Sequence, residues 1–183
     1  GDVTGHGLAA GIVMVMIQSM VAGMVRSDPN STPSHVVTAV NEAIYDNVRH
    51  RLKRDDHVTL TLLRYDANGS VRFAGAHEDL VIWRARTGRC EVIAPTGFWV
   101  GAIPSIRRMT QDAELVLEPD DLLVLYTDGA TEPRNAQHEQ FGLERLIATI
   151  EAGARRPVVT LRDQILEEVK RWSSSLDDDI TLV

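Results

Sequence analysis

One cysteine, Cys90, occurs among the 183 residues, which excludes an internal disulfide framework and a thiolate metal cluster. No histidine pair stands at the His-x-x-x-His spacing of a helical zinc site, so zinc is a poor candidate as well. There is no positively charged leader with a cleavage site, and the cytoplasm is therefore the expected compartment. No internal repeat, low-complexity tract or linker interrupts the sequence. No initiator methionine precedes Gly1 and the first seven residues already form a dense motif, so the chain reads as a piece of a longer protein.

Clustered basic charge is also scarce. Lys and Arg number 19 against 26 Asp and Glu, and the net charge of −7 argues against general binding of nucleic acid, which needs grouped cations to neutralise phosphates. The one basic run, Arg49, His50, Arg51, Lys53 and Arg54, is answered at once by Asp55 and Asp56 and reads as a solvated helix end.

What is present is ordinary for a globular protein: 44% hydrophobic and 25% charged residues, in a length that suits a single domain over residues 1–183. The longest apolar run, Leu8 to Val25, approaches the roughly 20 residues needed to cross a bilayer. Gln18 and Ser19 interrupt it, Gly11 and Gly23 dilute it, and no aromatic belt or positive cluster marks its start. It is expected to be a helix covered on all sides in the middle of the domain, not a membrane span.

Downstream, SDPNSTPS is turn chemistry, and Ser34 is a candidate cap for a helix through VVTAVNEAIYDNVRHRL. Val36, Val37, Val40, Ala43, Ile44 and Val48 make its apolar face, with Asn41, Glu42, Asp46 and Arg49 opposite. From His57 the period changes to two, through VTLTLLRYD, the turn ANGS, VRFAGAHE, LVIWRAR, TGR and CEVIAP, which predicts hairpin-linked antiparallel strands. A further hairpin is expected from Glu114–Leu117 to Leu122–Thr127 across EPDD. Helices over Phe141–Gly153 and Val159–Trp172 follow, then a terminal strand DITLV. Segregated runs of this kind predict an α+β domain with helices covering antiparallel sheets.

Three acidic positions share a strand-end context: Asp2 in GDVTGHG, Asp128 in LYTDGATE and Asp178 in SLDDDITLV. Singly, each has a bland reading as a turn, a cap or a solvated acidic loop. Together, carboxylates gathered at the ends of neighbouring strands repel one another, and a hard divalent cation taking oxygen ligands relieves that repulsion. Gly1, Gly5 and Gly7, and Gly129 beside Asp128, would let the backbone approach such an ion, and Mg²⁺ or Mn²⁺ fits best.

GDVTGHG, then YTDGATE followed by FG-x-x-RL (Phe141, Gly142, Arg145, Leu146), then DDIT, in this order and spacing, resemble the PPM family of metal-dependent protein serine/threonine phosphatases. The resemblance is strongest to its bacterial SpoIIE-type branch and covers essentially the whole chain. It implies an αββα sandwich of two antiparallel sheets flanked by helices, holding two Mn²⁺ or Mg²⁺ ions. By that resemblance Asp2 would bridge both ions, the Val3 carbonyl would bind the second, and Asp128 and Asp178 the first, with Asp179 able to replace Asp178 because the acidic run leaves the register open by one.

The implied reaction is hydrolysis of phosphoserine or phosphothreonine on a regulatory protein, of the anti-sigma-factor antagonist type, by a metal-activated water. His6 is the candidate acid for the leaving alkoxide, or else a group that only holds its loop. His77, with Ala76 where the branch has glycine, is expected to be structural, as are Thr131 and Glu132. GFWVG resembles the branch's glycine-bounded turn, with the bulky Trp99 as a departure from it. The resemblance also implies a strand and an acidic Gly-Gly-Asp segment ahead of Gly1, an upstream sensor or receiver domain, and a sheet edge at which two copies could pair. The competing reading is a catalytically silent phosphatase-like scaffold that binds partners.

Overall fold

The computed structural model describes residues 1–173 and 179–183. They divide into two compact units, residues 1–77 with 95–116, and residues 78–94 with 117–183. Each unit contains one antiparallel sheet and two α-helices, which is the α+β class the segregated sequence pattern predicts.

The first unit holds β1 (Asp2–Val3), α1 (Leu8–Ser27), α2 (Pro33–Asp46), β2 (Val58–Tyr65), β3 (Ser70–Ala76) and β6 (Ala113–Val116), with sheet order β1-β2-β3-β6. Its core is Val13 and Ile17 of α1, the Val36, Val37, Val40 and Ile44 stripe of α2, and Val48, Val58, Val100 and Ile106. Thr32, not Ser34, caps α2: its side chain accepts from the His35 amide, and Pro33 fills the first turn, where a missing N–H costs nothing. Ser34 is engaged elsewhere, through its amide (2.9 Å) and hydroxyl (2.6 Å), by the Asp112 carboxylate. A π-helical turn, Asn47–Leu52, follows α2 and ends on Lys53 in the left-handed conformation. The acidic answer to the basic run takes the form of two ion pairs, Arg49 with Asp55 and Arg54 with Asp56.

Two expectations for this unit are corrected. First, α1 is not covered on all sides: Val13 and Ile17 are buried, whereas Leu8, Ile12, Met14, Val15 and Val25 are exposed. Hydropathy alone does not tell a two-sided from a one-sided apolar helix, and here α1 packs chiefly on α2 and β1. Among the described residues it is the one helix long and apolar enough to cross a membrane, by length and composition. Second, Asn41 is not on an outer face but fully buried, where its amide donates to the carbonyls of Ile103 (3.1 Å) and Pro104 (3.3 Å) and accepts from the Gly101 amide (2.8 Å). With donor and acceptor both satisfied, burial of the polar group is tolerated.

The second unit holds β4 (Leu80–Arg84), β5 (Arg89–Ile93), β7 (Leu122–Val124), α3 (Gly142–Gly153) and α4 (Val158–Trp172), with sheet order β5-β4-β7. Leu146 and Ile150 of α3, and Leu161, Ile165 and Val169 of α4, close its core on Val81, Trp83 and Val124. The expected hairpin across EPDD does not form, because β6 pairs with β3 and β7 with β4, in different sheets; β3 and β4 likewise do not pair. The hairpins β2–β3 and β4–β5 form as predicted. The terminal strand is reduced to a bridge between Tyr126 and Leu182, with Leu125 and Val183 exchanging backbone hydrogen bonds.

Candidate active site

In the first unit, β1 ends the sheet, with Asp2 opposite Thr59 and Val3 opposite Val58. Thr4 then locks the loop: its amide (3.0 Å) and hydroxyl (2.7 Å) both donate to the His57 carbonyl. Gly7 precedes α1 at φ +82°, a conformation that favours glycine, and no side chain caps the first-turn amides of the helix. Asp2 and His6 are exposed and Val3 half-buried. The Thr59 hydroxyl donates to the Asp2 carbonyl (3.3 Å) and lies 3.0 Å from Nδ1 of His77.

In the second unit, the segment after β7 carries Asp128 into a short 3-10 turn, Asp128–Ala130. The Asp128 carboxylate accepts from the Gly129 amide (2.9 Å), and its carbonyl accepts from the amides of Thr131 and Glu132 (2.8 Å each). Gly129 is required by close approach: a Cβ there would collide with the Asp179 carbonyl. Thr127 stitches the same two segments, its hydroxyl donating to the Asp179 carbonyl (3.3 Å) and accepting from the Thr181 amide (3.0 Å). The backbones of Asp128 and Asp179 therefore meet at one strand end. Asp178 lies outside the described residues.

The FG-x-x-RL motif holds this corner. The Gly142 amide donates to the Thr131 carbonyl (2.8 Å) and the Phe141 amide to the Pro133 carbonyl (2.9 Å). Arg145 donates to the Phe141 carbonyl (2.9 Å) and lies 3.9 Å over the Trp172 ring. Thr131 and Glu132 shape the loop, as expected.

Sequence reasoning missed Glu78 and Asp79. Burial, and then the neighbouring charges of Asp128, Asp79 and Glu132, push the Glu78 carboxyl above its usual range. Burial raises the Tyr126 hydroxyl also, with Glu78 and Asp79 adding to the effect. The signal was available: His77-Glu78-Asp79 precedes the apolar strand LVIW, the same strand-end context that singled out the other carboxylates. Among the described residues, no three His, Cys, Asp or Glu side chains converge closely enough to hold an ion. In donor chemistry, Glu78 and the carboxylates whose charges bear on it, Asp128, Asp79 and Glu132, are an oxygen-only set of the kind a hard divalent cation takes.

Residues 1–183, the whole chain, match the family described as Stage II sporulation protein E (SpoIIE). The chain belongs to the SpoIIE family. Among curated proteins, Protein IcfG of Synechocystis sp. (strain ATCC 27184 / PCC 6803 / Kazusa) is 29% identical over 123 residues, 64% of this chain and 18% of IcfG. The chain thus spans less than a fifth of that relative. Its fold is that of PP2C phosphatase domains. The SiaA-PP2C domain of Pseudomonas aeruginosa superposes with a TM-score of 0.79 at 17% identity, covering 99% of this chain and 70% of that one. The catalytic domain of the serine threonine protein phosphatase PstP, in complex with 2 manganese ions, superposes at 0.66 with 16% identity, covering 99% and 83%. Of the candidate carboxylates that are described, Asp2 stands in the first unit and Asp128 and Asp179 in the second.

Proposed function

We propose that this SpoIIE-family domain is a Mn²⁺- or Mg²⁺-dependent protein serine/threonine phosphatase acting in the cytoplasm on a phosphorylated regulatory protein, of the anti-sigma-factor antagonist type. The observation that carries the reading is the strand-end corner where Asp128, its loop held by FG-x-x-RL, abuts the Asp179 backbone beside Glu78. Around that corner Asp128, Asp79 and Glu132 add to the negative charge felt by Glu78, a repulsion that a bound divalent cation would relieve. The family match and the manganese ions bound by PstP support the choice of metal.

Asp2 and the Val3 carbonyl in the first unit, and Asp128 with Asp178 or Asp179 in the second, are the groups that the family resemblance assigns to two ions. Bound there, the ions would supply the charge that offsets the phosphoryl oxygens and lowers the pKa of an attacking water. The chain's own contribution is positional: Thr4 anchors the Asp2 loop on His57, Gly129 admits Asp179 against Asp128, and His6, exposed on its glycine-flanked loop, can deliver a proton to the leaving serine or threonine oxygen.

The test is Mn²⁺-dependent release of phosphate from a phosphothreonine peptide by the full chain. Asp128→Asn and Asp2→Asn are each expected to reduce turnover by at least about a hundredfold. Undiminished turnover in either removes the mechanism. Absence of Mn²⁺ binding at millimolar concentration, with retained binding of a protein partner, would instead support the silent-scaffold reading.

A further inference from the structure

Trp99, the residue that departs from the glycine-bounded turn, is 48% exposed and yet ordered by contact. Its indole stacks on the His57 imidazole with ring centroids 4.8 Å apart and planes 17° from parallel. The turn beneath is fixed from both sides, by the Gly101 amide on buried Asn41 and by the paired amides and carbonyls of Val58 and Val100. A large aromatic surface held rigid and left half in solvent is available for contact at little further cost in side-chain entropy, and tryptophan is over-represented among residues that dominate binding.

Two further observations say what covers it. His57 is the residue whose carbonyl takes both hydrogen bonds from Thr4, so the stacked pair and the Asp2–His6 loop belong to one bonded unit. The connection leading into His57 carries uncompensated positive charge. Asp55 and Asp56 are engaged by Arg49 and Arg54, whereas Arg51 and Lys53 are exposed and have no carboxylate partner among the described residues. This connection lies against the Trp99 turn, since a Cβ on Gly101 would fall 3.5 Å from the Asp56 carbonyl. In a chain of net charge −7, Lys53 and Arg51 precede the stacked His57 by four and six residues, and that local excess of positive charge is complementary to an acidic ligand.

Resting on the phosphatase reading above, we propose that the Trp99–His57 stack, with Arg51 and Lys53, is the specificity ledge for the protein substrate: an acidic stretch flanking the phosphorylated serine or threonine docks there. Trp99 contributes apolar contact to that stretch, and the two cations select its charge. His57 is a positioning residue, joining the ledge to the loop of Asp2.

The experiment uses the full chain and two fluorescein-labelled phosphothreonine peptides, one with acidic and one with basic flanks, read by fluorescence anisotropy and by phosphate release. The wild type is expected to bind the acidic peptide about tenfold more tightly than the basic one. Trp99→Ala weakens the acidic peptide about tenfold, Trp99→Phe restores most of that loss, and Arg51→Glu with Lys53→Glu abolishes the preference between peptides. In turnover, Trp99→Ala raises KM and leaves kcat. Equal affinity of the wild type for both peptides, or an unchanged affinity of Trp99→Ala for the acidic one, overturns the ledge. So does a concentration-dependent dimer that Trp99→Ala dissolves without weakening the peptide, since a second copy would then be the occupant. If Trp99→Ala fails to fold, Trp99→Phe and the double charge reversal carry the same decision. Hydrolysis of p-nitrophenyl phosphate by the wild type separates the two claims: no hydrolysis with the binding pattern intact sinks the phosphatase and keeps the ledge, while hydrolysis without the pattern does the reverse.

Discussion

Asp121 has a fully buried side chain, 2.8 Å from a guanidinium nitrogen of Arg84, and accepts from the amides of Ala85 (2.9 Å) and Glu118 (3.1 Å). Burial alone would raise its pKa, but the Arg84 hydrogen bond and the two amides outweigh it and hold the carboxyl below its usual range. The folded form thus takes up a proton less readily than the unfolded chain. The stabilisation is complete above the unfolded value of about 4 and is lost as the pH falls through the lower folded value. Asp121→Ala leaves Arg84 and two amides without that partner and is expected to cost about 3 kcal/mol at neutral pH, with a shallower acid limb in urea-unfolding stability between pH 5 and 2. Gly129→Ala makes a different demand. The new methyl meets the Asp179 carbonyl, so Asp179 must move away from Asp128. Mn²⁺-dependent turnover should fall by at least about tenfold, with a KM for Mn²⁺ that rises.

Helices α1 and α2 separate what local pattern tells from what it does not. The valine stripe of α2 was legible because its i, i+3, i+4 spacing matches one buried face. Asn41 was not, since a polar residue inside a helix gives no sign of whether carbonyls such as those of Ile103 and Pro104 wait for it sixty residues on. Replacing it by leucine keeps the branched shape but adds volume, and orphans those groups and the Gly101 amide. Asn41→Leu is expected to destabilise by about 2 kcal/mol and to loosen the Trp99 turn, visible as increased hydrogen exchange at Gly101. For α1, the one-sided packing predicts unequal neighbours. Val13→Ala removes methyls from a site with no exposure and should cost about 1–3 kcal/mol in denaturant unfolding. Val15→Ala, 53% exposed, should stay within about 0.5 kcal/mol. Equal losses at the two positions would restore the fully covered helix that the apolar run suggests.

For the whole chain, the class of fold was legible because hydrophobic period and turn chemistry mark each element within its own ten or twenty residues. The sheet partners of β6 and β7 were not, because EPDD is equally good as a hairpin turn or as a connection between sheets, and only distant pairing with β3 and β4 decides. The same limit applies to the candidate site: Asp2 and Asp128 announce themselves in dense motifs, while Glu78 shares their strand-end context without such a motif, and its nearness to Asp128 is set only by the fold. A ligand that binds the folded chain and not the unfolded one raises stability by RT ln(1 + [L]/Kd), about 2.7 kcal/mol at roughly 100 times Kd. For a domain near 180 residues each kcal/mol corresponds to about 2–4 °C in Tm, so Mn²⁺ should raise the melting temperature of the full chain by about 5–11 °C, and EDTA should reverse it. Asp128→Asn replaces a charged oxygen ligand by a weaker neutral one while relieving repulsion on Glu78. Its metal-free Tm should therefore equal or exceed that of the wild type, and its Mn²⁺-induced rise should vanish. A wild-type-sized rise in that variant would place the cation elsewhere and remove Asp128 from the proposed ligand set.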